Sequence, residues 1–153
     1  MQKILISIKP KYIRLLFSGK KHFEYRKRVP EEVGIALVYA TSPIKKIVGE
    51  LCIDNVLSMS PEELWNHTHL QSGLTKELFF QYFKGVEIAH ALSVKKTIEY
   101  KNPLSLDMLG IRRAPQSWQY INDKMFLTFS NKEDIYKRVI VKNDEKKSKF
   151  TNI

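Results

Sequence analysis

Cysteine is almost absent from this chain: Cys52 is the single thiol in 153 residues. One cysteine can form no internal disulfide and leaves no cluster for a structural zinc site. Set in an apolar run, Cys52 reads as a small core residue. Glycine is also scarce, six in all, and none belongs to a phosphate-binding glycine loop. The Gly-x-Ser-x-Gly elbow and the His-Glu-x-x-His helix are missing too, which removes the commonest hydrolase and metalloprotease chemistries. Of four histidines, His22 and His90 are isolated, and His67 and His69 share a polar stretch with no acid or cysteine beside them. No metal site and no cofactor are expected. No apolar run approaches a membrane span, and none near the amino terminus has signal-peptide length. The expectation is a soluble, cytoplasmic chain with no membrane partner.

What is present is positive charge, unevenly placed. Between Lys9 and Arg28 eight basic residues meet a single acid, Glu24, so this segment carries +7 of a formal +10. A face this basic suits a polyanion; the alternative is the solvated surface of an ordinary basic protein. A 43% apolar and 11% aromatic composition suits a globular fold. The length suits one domain able to bury about two-thirds of its unfolded surface. Residues 1–141 are assigned to that domain. Residues 142–153 are charged without periodicity and are expected to form a mobile tail.

Period and punctuation give the elements. Lys3 to Ile8 is a short β-branched run and predicts a buried strand. Pro10 suits a first helical position, and Tyr12, Leu15 and Leu16 share one helix face ended by Gly19. From His22 to Arg28 charged residues alternate with Phe23 and Tyr25, predicting a strand with charge on one face and aromatics on the other. Ile35–Ala40 and Ile47–Ile53 predict further strands, with Gly49 as a bulge or close-approach point. Ser60-Pro61 and Thr75 open two helices, the second carrying Leu78, Phe79, Tyr82 and Phe83 on its apolar face. Ile88 to Tyr100 reads as strand. Pro115–Tyr120 reads as one or two helical turns, and the apolar runs at 126–129 and 139–141 as a closing hairpin. Strands outnumber helices, which argues for a small curved β-sheet or barrel with peripheral helices rather than alternating parallel α/β.

Three groups carry the candidate chemistry. Lys20, Lys21, Glu24 and Arg26 flank the Gly19 turn, whose backbone N–H groups with two lysines beside them can hold a phosphate. Glu24 either pairs with Arg26 or Lys27, or hydrogen-bonds a base edge or moves a proton. Thr41 and Ser42 with Lys45 and Lys46 close a strand as phosphate or base contacts, or as turn formers. Gln116, Ser117 and Trp118 form the third group. A partly exposed tryptophan can stack on an unpaired base; otherwise Trp118 is core packing.

Together these words resemble the ASCH family of the PUA-like superfamily. The likeness is carried by Ile4–Pro10, Ser18-Gly19-Lys20-Lys21 with Glu24–Arg28, Tyr39–Pro43, Val48-Gly49-Glu50 and Ala114–Ser117, spanning about residues 3–121. The resemblance implies an α+β fold: a small PUA-like β-barrel with short peripheral helices, a cleft between them, and RNA-related binding. Some members of the family are small amidohydrolases acting on acetylated cytidine, and at least one is a ribonuclease. The amidohydrolase type has a lysine two positions after the turn glycine, matched by Lys21. It has a threonine nucleophile where this chain has Glu24, and an acid near Gln71 or Ser72, where this chain has none. A carboxylate cannot serve as that activated hydroxyl.

The expected function is therefore an RNA-binding module, with single-stranded DNA or a nucleotide as further ligands. Lys9, Lys20, Lys21, Lys45 and Lys46 are its phosphate contacts. Glu24, Thr41, Ser42 and Gln116 read a base, Trp118 stacks, and Arg26 and Arg28 hold the geometry. Lys21, Glu24, Ser42 and Gln116 should then converge on one concave site. The alternative is a small hydrolase or ribonuclease on RNA or a modified nucleoside, with Lys21 and Glu24 as the reacting catalytic pair. A third reading is a protein-interaction domain whose basic face meets an acidic partner.

Overall fold

The computed structural model describes residues 1–130 and 139–142. Its strands are β1 (Lys3–Ile8), β2 (Phe23–Arg26), β3 (Ile35–Ala40), β4 (Lys46–Met59), β5 (Ala89–Leu104), β6 (Trp118–Ile121) and β7 (Val139–Lys142). The helices are α1 (Pro10–Phe17), α2 (Pro61–Thr68), α3 (Lys76–Tyr82) and α4 (Asp123–Ser130). One sheet holds every strand in the order β2-β5-β4-β3-β1-β6, with β7 also paired to β5. Among the described residues only β1 and β3 run parallel; α1 and β2 separate them in sequence, as a parallel pair requires a crossover. Four register shifts along β3–β4 and β4–β5 bend the long strands, and the sheet curls into a half-barrel.

Alternation along β1 distributes the core. Ile4, Ile6 and Ile8 join Ile13, Leu16 and Phe17 of α1 under one face. Leu5 joins Leu37, Tyr39 and Tyr100 under the other, where Leu109 and Ile111 cap it. Each fully buried aliphatic side chain contributes about 1.5–3 kcal/mol. The insert between β4 and β5 brings its own cluster: Leu64 of α2 with Phe79 and Phe83 pack on Tyr25, Ala89 and Ala91. Both inserted helices are capped as their sequences predict: Ser60 Oγ accepts from the Glu63 N–H and Thr75 Oγ1 from the Leu78 N–H.

Three expectations need correction. Residues 118–121 are an edge strand antiparallel to β1, not helical turns; the pairing Ile6↔Trp118 to Lys3↔Ile121 supplies the hydrogen bonds that local propensity did not signal. The run from 126 belongs to α4, whose start is capped by Asn122 Oδ1 accepting from the Met125 N–H. Thus it forms no hairpin, and β7 pairs with β5 instead. Cys52 is half-buried rather than a full core residue, and burial pushes its thiol pKa up. The proposed tail, 142–153, lies outside the described residues except for Lys142. Among the described residues no helix is long and apolar enough to cross a membrane.

A carboxylate sits beneath the second core. Glu50 of β4 pairs with Leu37 and is 8% exposed, and the Tyr100 hydroxyl donates to its Oε2. Burial raises its pKa, with the Tyr100 bond and Lys96 pulling it partly back. A raised folded-state pKa favours the protonated acid, so this stability is full below the unfolded value and is lost as pH rises through the folded one. Glu50→Gln keeps an acceptor for Tyr100 without the charge. Thermal melts should show it raising Tm by about 3 °C at pH 7 and changing it little at pH 4. An equal rise at both values would rule out this cause.

Candidate nucleic-acid interface

β2 and β6 stand at opposite ends of the strand order, and side chains reach across the gap between them. Arg26, at the end of β2, donates from Nη2 to the Ser7 carbonyl of β1 at 2.9 Å and from Nη1 to Ser117 Oγ, just before β6, at 3.1 Å. Its Nη2 also donates to Glu24 Oε1 at 3.3 Å. Ser7 Oγ donates to the Pro115 carbonyl at 2.6 Å, and Trp118 Nε1 donates to the Arg28 carbonyl at 2.8 Å. These bonds tie β2 to the strands at the far edge of the sheet.

Beside this seam opens a cleft of about 490 Å³ between α1 and α3, within the size range of small-ligand sites. Its floor is charged and buried. Lys21 is 2% exposed, and Glu24 is 6% exposed. Lys21 Nζ donates to the Ser72 carbonyl at 2.6 Å and sits over the rings of Tyr25 at 4.7 Å and Tyr12 at 5.5 Å. An ammonium over aromatic faces gains from their quadrupoles. Burial nevertheless dominates and lowers the Lys21 pKa; Glu24 pulls it back up and Arg26 pushes it further down. Tyr25 donates to Thr68 Oγ1 at 2.8 Å, and burial pushes its pKa up to about 12, so it stays a neutral donor. The walls are apolar and open. Leu78 and Tyr82 of α3, 46% and 40% exposed, stand on one side and Tyr12 of α1 on the other. Lysines edge both aromatic walls: Lys11 lies 4.9 Å from the Tyr12 ring and Lys27 5.1 Å from the Tyr82 ring.

Half of the residues singled out by sequence meet here. Lys9, Lys21, Glu24, Arg26, Thr41 and Gln116 line the cleft. Lys20, Arg28, Ser42, Lys45, Lys46 and Trp118 lie outside its lining, so of the four residues expected to converge, Ser42 does not. Lys45 adopts a left-handed φ of 52°, in keeping with the turn-former alternative for that segment. Trp118 packs on the first core, with Arg28 over its ring at 5.7 Å, in keeping with its packing alternative.

The Gly19 turn cannot hold a phosphate by its backbone. The N–H groups of Ser18, Gly19, Lys20, Lys21 and His22 all donate to main-chain carbonyls, leaving none for an anion. Lys21 meanwhile points inward rather than to solvent.

Sequence reasoning passed over the loop that receives Lys21. Gly73, at φ +68°, leaves room for the lysine stem: a Cβ there would lie 3.0 Å from three of its carbons. The Ser72-Gly73 dipeptide is a turn signal, but nothing local marks it as a partner of a lysine 51 positions earlier. The loop where the resemblance seeks an acid does face Lys21, through a main-chain carbonyl. Among the described residues no cluster of His, Cys, Asp and Glu could hold a metal. His67 and His69 each bond by Nδ1 to a carbonyl of their own turn.

A mixed curved sheet, a helical insert and a cleft at the seam define a small α+β fold of PUA-like type. Residues 6–106 match the ASCH domain model, and the chain belongs to the ASCH domain family. An ASCH domain-containing ribonuclease of Zymomonas mobilis is 29% identical over 144 residues, covering 90% of each chain. The crystal structure of ASCH from Zymomonas mobilis superposes with a TM-score of 0.76 at 25% identity, covering 85% of this chain and 94% of that one. Large ribosomal subunit protein uL22 of Ureaplasma parvum is 34% identical over 122 residues, 78% of this chain. The chain spans only 39% of that protein's length.

Proposed function

We propose that this chain is an RNA-binding module whose cleft accepts one unpaired base. The carrying observation is the contrast inside the cleft: exposed aromatic and aliphatic walls that suit a base face, above a buried Lys21–Glu24–Arg26 floor that suits its polar edge. Unpaired RNA presents both surfaces at once, whereas duplex RNA hides them. The formal +10 charge supports a polyanionic partner, and the Zymomonas relative named a ribonuclease supports RNA. Phosphates on either side of the bound base would meet Lys9 at the mouth and Lys20, Arg28, Lys45 and Lys46 beyond it.

Titrating labelled single-stranded RNA at increasing salt tests this. Affinity should fall linearly on a log–log plot, with a slope of about −0.7 per phosphate neutralised. Lys9→Ala and Lys20→Ala should each flatten the slope by about that amount and weaken all sequences alike. Affinity unchanged between about 50 and 200 mM salt would overturn the proposal. Parallel titrations with single-stranded DNA and with mononucleotides distinguish the other ligands.

One observation favours a second reading, in which the module also cleaves. Burial depresses the Lys21 pKa beside a carboxylate, and a lysine shifted this way can accept a proton. Products from labelled RNA that vanish in Lys21→Ala would establish turnover, whereas binding without cleavage keeps the first reading.

A further inference from the structure

The two oxygens of Glu24 are not equivalent. Oε1 accepts from Arg26, while Oε2 is buried and has no hydrogen-bond partner among the described residues. An ionised carboxylate has room for about four hydrogen bonds, and a buried acceptor left bare is costly, so native structures almost always supply a donor. The two nearest cations already have other acceptors. Lys21 donates to Ser72, and Arg26 is shared among Ser7, Ser117 and Oε1. Glu24 lines the cleft, so the missing donor fits a ligand group.

We propose that Glu24 Oε2 accepts a hydrogen bond from the exocyclic amine of the bound base, so the cleft selects cytosine over uracil and adenine over hypoxanthine. This inference rests on the nucleic-acid reading above. Within each pair the rings are the same size and the walls see the same face, so stacking does not separate them. At the discriminating position one base carries an amine and the other a carbonyl oxygen. The amine supplies the proton that Oε2 lacks. The carbonyl sets one acceptor against another with no proton between them, over a carboxylate only 6% exposed. A good bidentate side-chain–base pair is worth about 5- to 150-fold in discrimination, and a single carboxylate–amine hydrogen bond falls toward the lower end of that range.

Arg26 makes the idea sharply testable, because it needs an acceptor. In Glu24→Gln the amide oxygen should therefore turn toward Arg26, placing the NH2 where Oε2 stood. The ligand-facing atom then changes from acceptor to donor at constant shape. Fluorescence anisotropy with the full chain and short labelled oligomers of C, U, A and inosine should show about 10-fold preference for C over U and A over inosine. Glu24→Gln should reverse both preferences. A ligand change needs no altered protein: oligomers of N4,N4-dimethylcytidine, which lack both amine protons, should bind wild type no better than oligo-U. Equal wild-type affinity for all four oligomers overturns the inference while leaving RNA binding intact. So does undiminished binding of the dimethylated oligomer, or a folded Glu24→Gln variant that weakens all four alike. Failure of every oligomer to bind overturns the nucleic-acid reading and this inference with it.

Discussion

Arg26→Ala is expected to cost about 3–5 kcal/mol of folding stability, read as a fall in the urea midpoint. Three acceptors lose their donor at once: the Ser7 carbonyl, Ser117 Oγ and Glu24 Oε1. The larger part of the loss comes from Glu24, whose carboxylate would stay buried with one cation fewer. The side chains of the pair are only 12% and 8% exposed, so water screens little of this. Arg26→Lys should recover only a minor part, because an ammonium on a flexible stem cannot reach both sides of the seam as a planar fork does. Adding Glu24→Leu to Arg26→Ala should restore about half of the lost stability by removing the stranded charge, a coupling that a double-mutant cycle measures. A midpoint shift equivalent to less than about 1 kcal/mol for Arg26→Ala would mean that the seam is held elsewhere.

That seam also marks the limit of what the sequence discloses. β1, β3 and the heart of β4 and β5 are legible because β-branched runs lie between turn residues, and α2 and α3 because Ser60 and Thr75 announce them. Trp118–Ile121 carries no such local mark. It becomes a strand only because β1, more than a hundred residues earlier, offers it an edge. The site divides the same way. Charge counting finds Lys21, Glu24 and Arg26 but cannot give the direction in which each points. Lys21 and Lys20 are neighbours of identical type; one is buried because Gly73 leaves space for its stem and Ser72 offers a carbonyl, while the other remains in solvent. Burial of a cation is a long-range property, and so is the pKa depression that follows from it. The aromatic walls were legible as apolar helix faces, but Tyr82 and Leu78 turn out to stand at the cleft rather than within the packed core.

Gly49→Ala is expected to be at least as damaging as losing Arg26, about 3 kcal/mol or more, although it adds one methyl group. A Cβ at Gly49 would fall 2.2 Å from the Ile98 carbonyl oxygen and 2.7 Å from Phe17 Cζ. The first contact is backbone within the β4–β5 ladder, at a register shift between Ile47 and Gly49, and it cannot retreat without breaking strand pairing. The second is a ring 4% exposed at the end of α1, packed in the first core. Phe17→Leu in the same background should therefore relieve only part of the loss, since the carbonyl contact remains. Gly19→Ala gives the contrast. Nothing lies within 4 Å of its Cβ, but φ is +79°, so conformational strain alone should cost about 1–2 kcal/mol. Because α1 carries Tyr12 on its cleft side, whatever displaces Phe17 also moves one wall of the cleft. Surviving Gly49→Ala protein should consequently bind RNA more weakly than its folded fraction accounts for, and binding in strict proportion to that fraction would show the cleft to be mechanically independent of this contact.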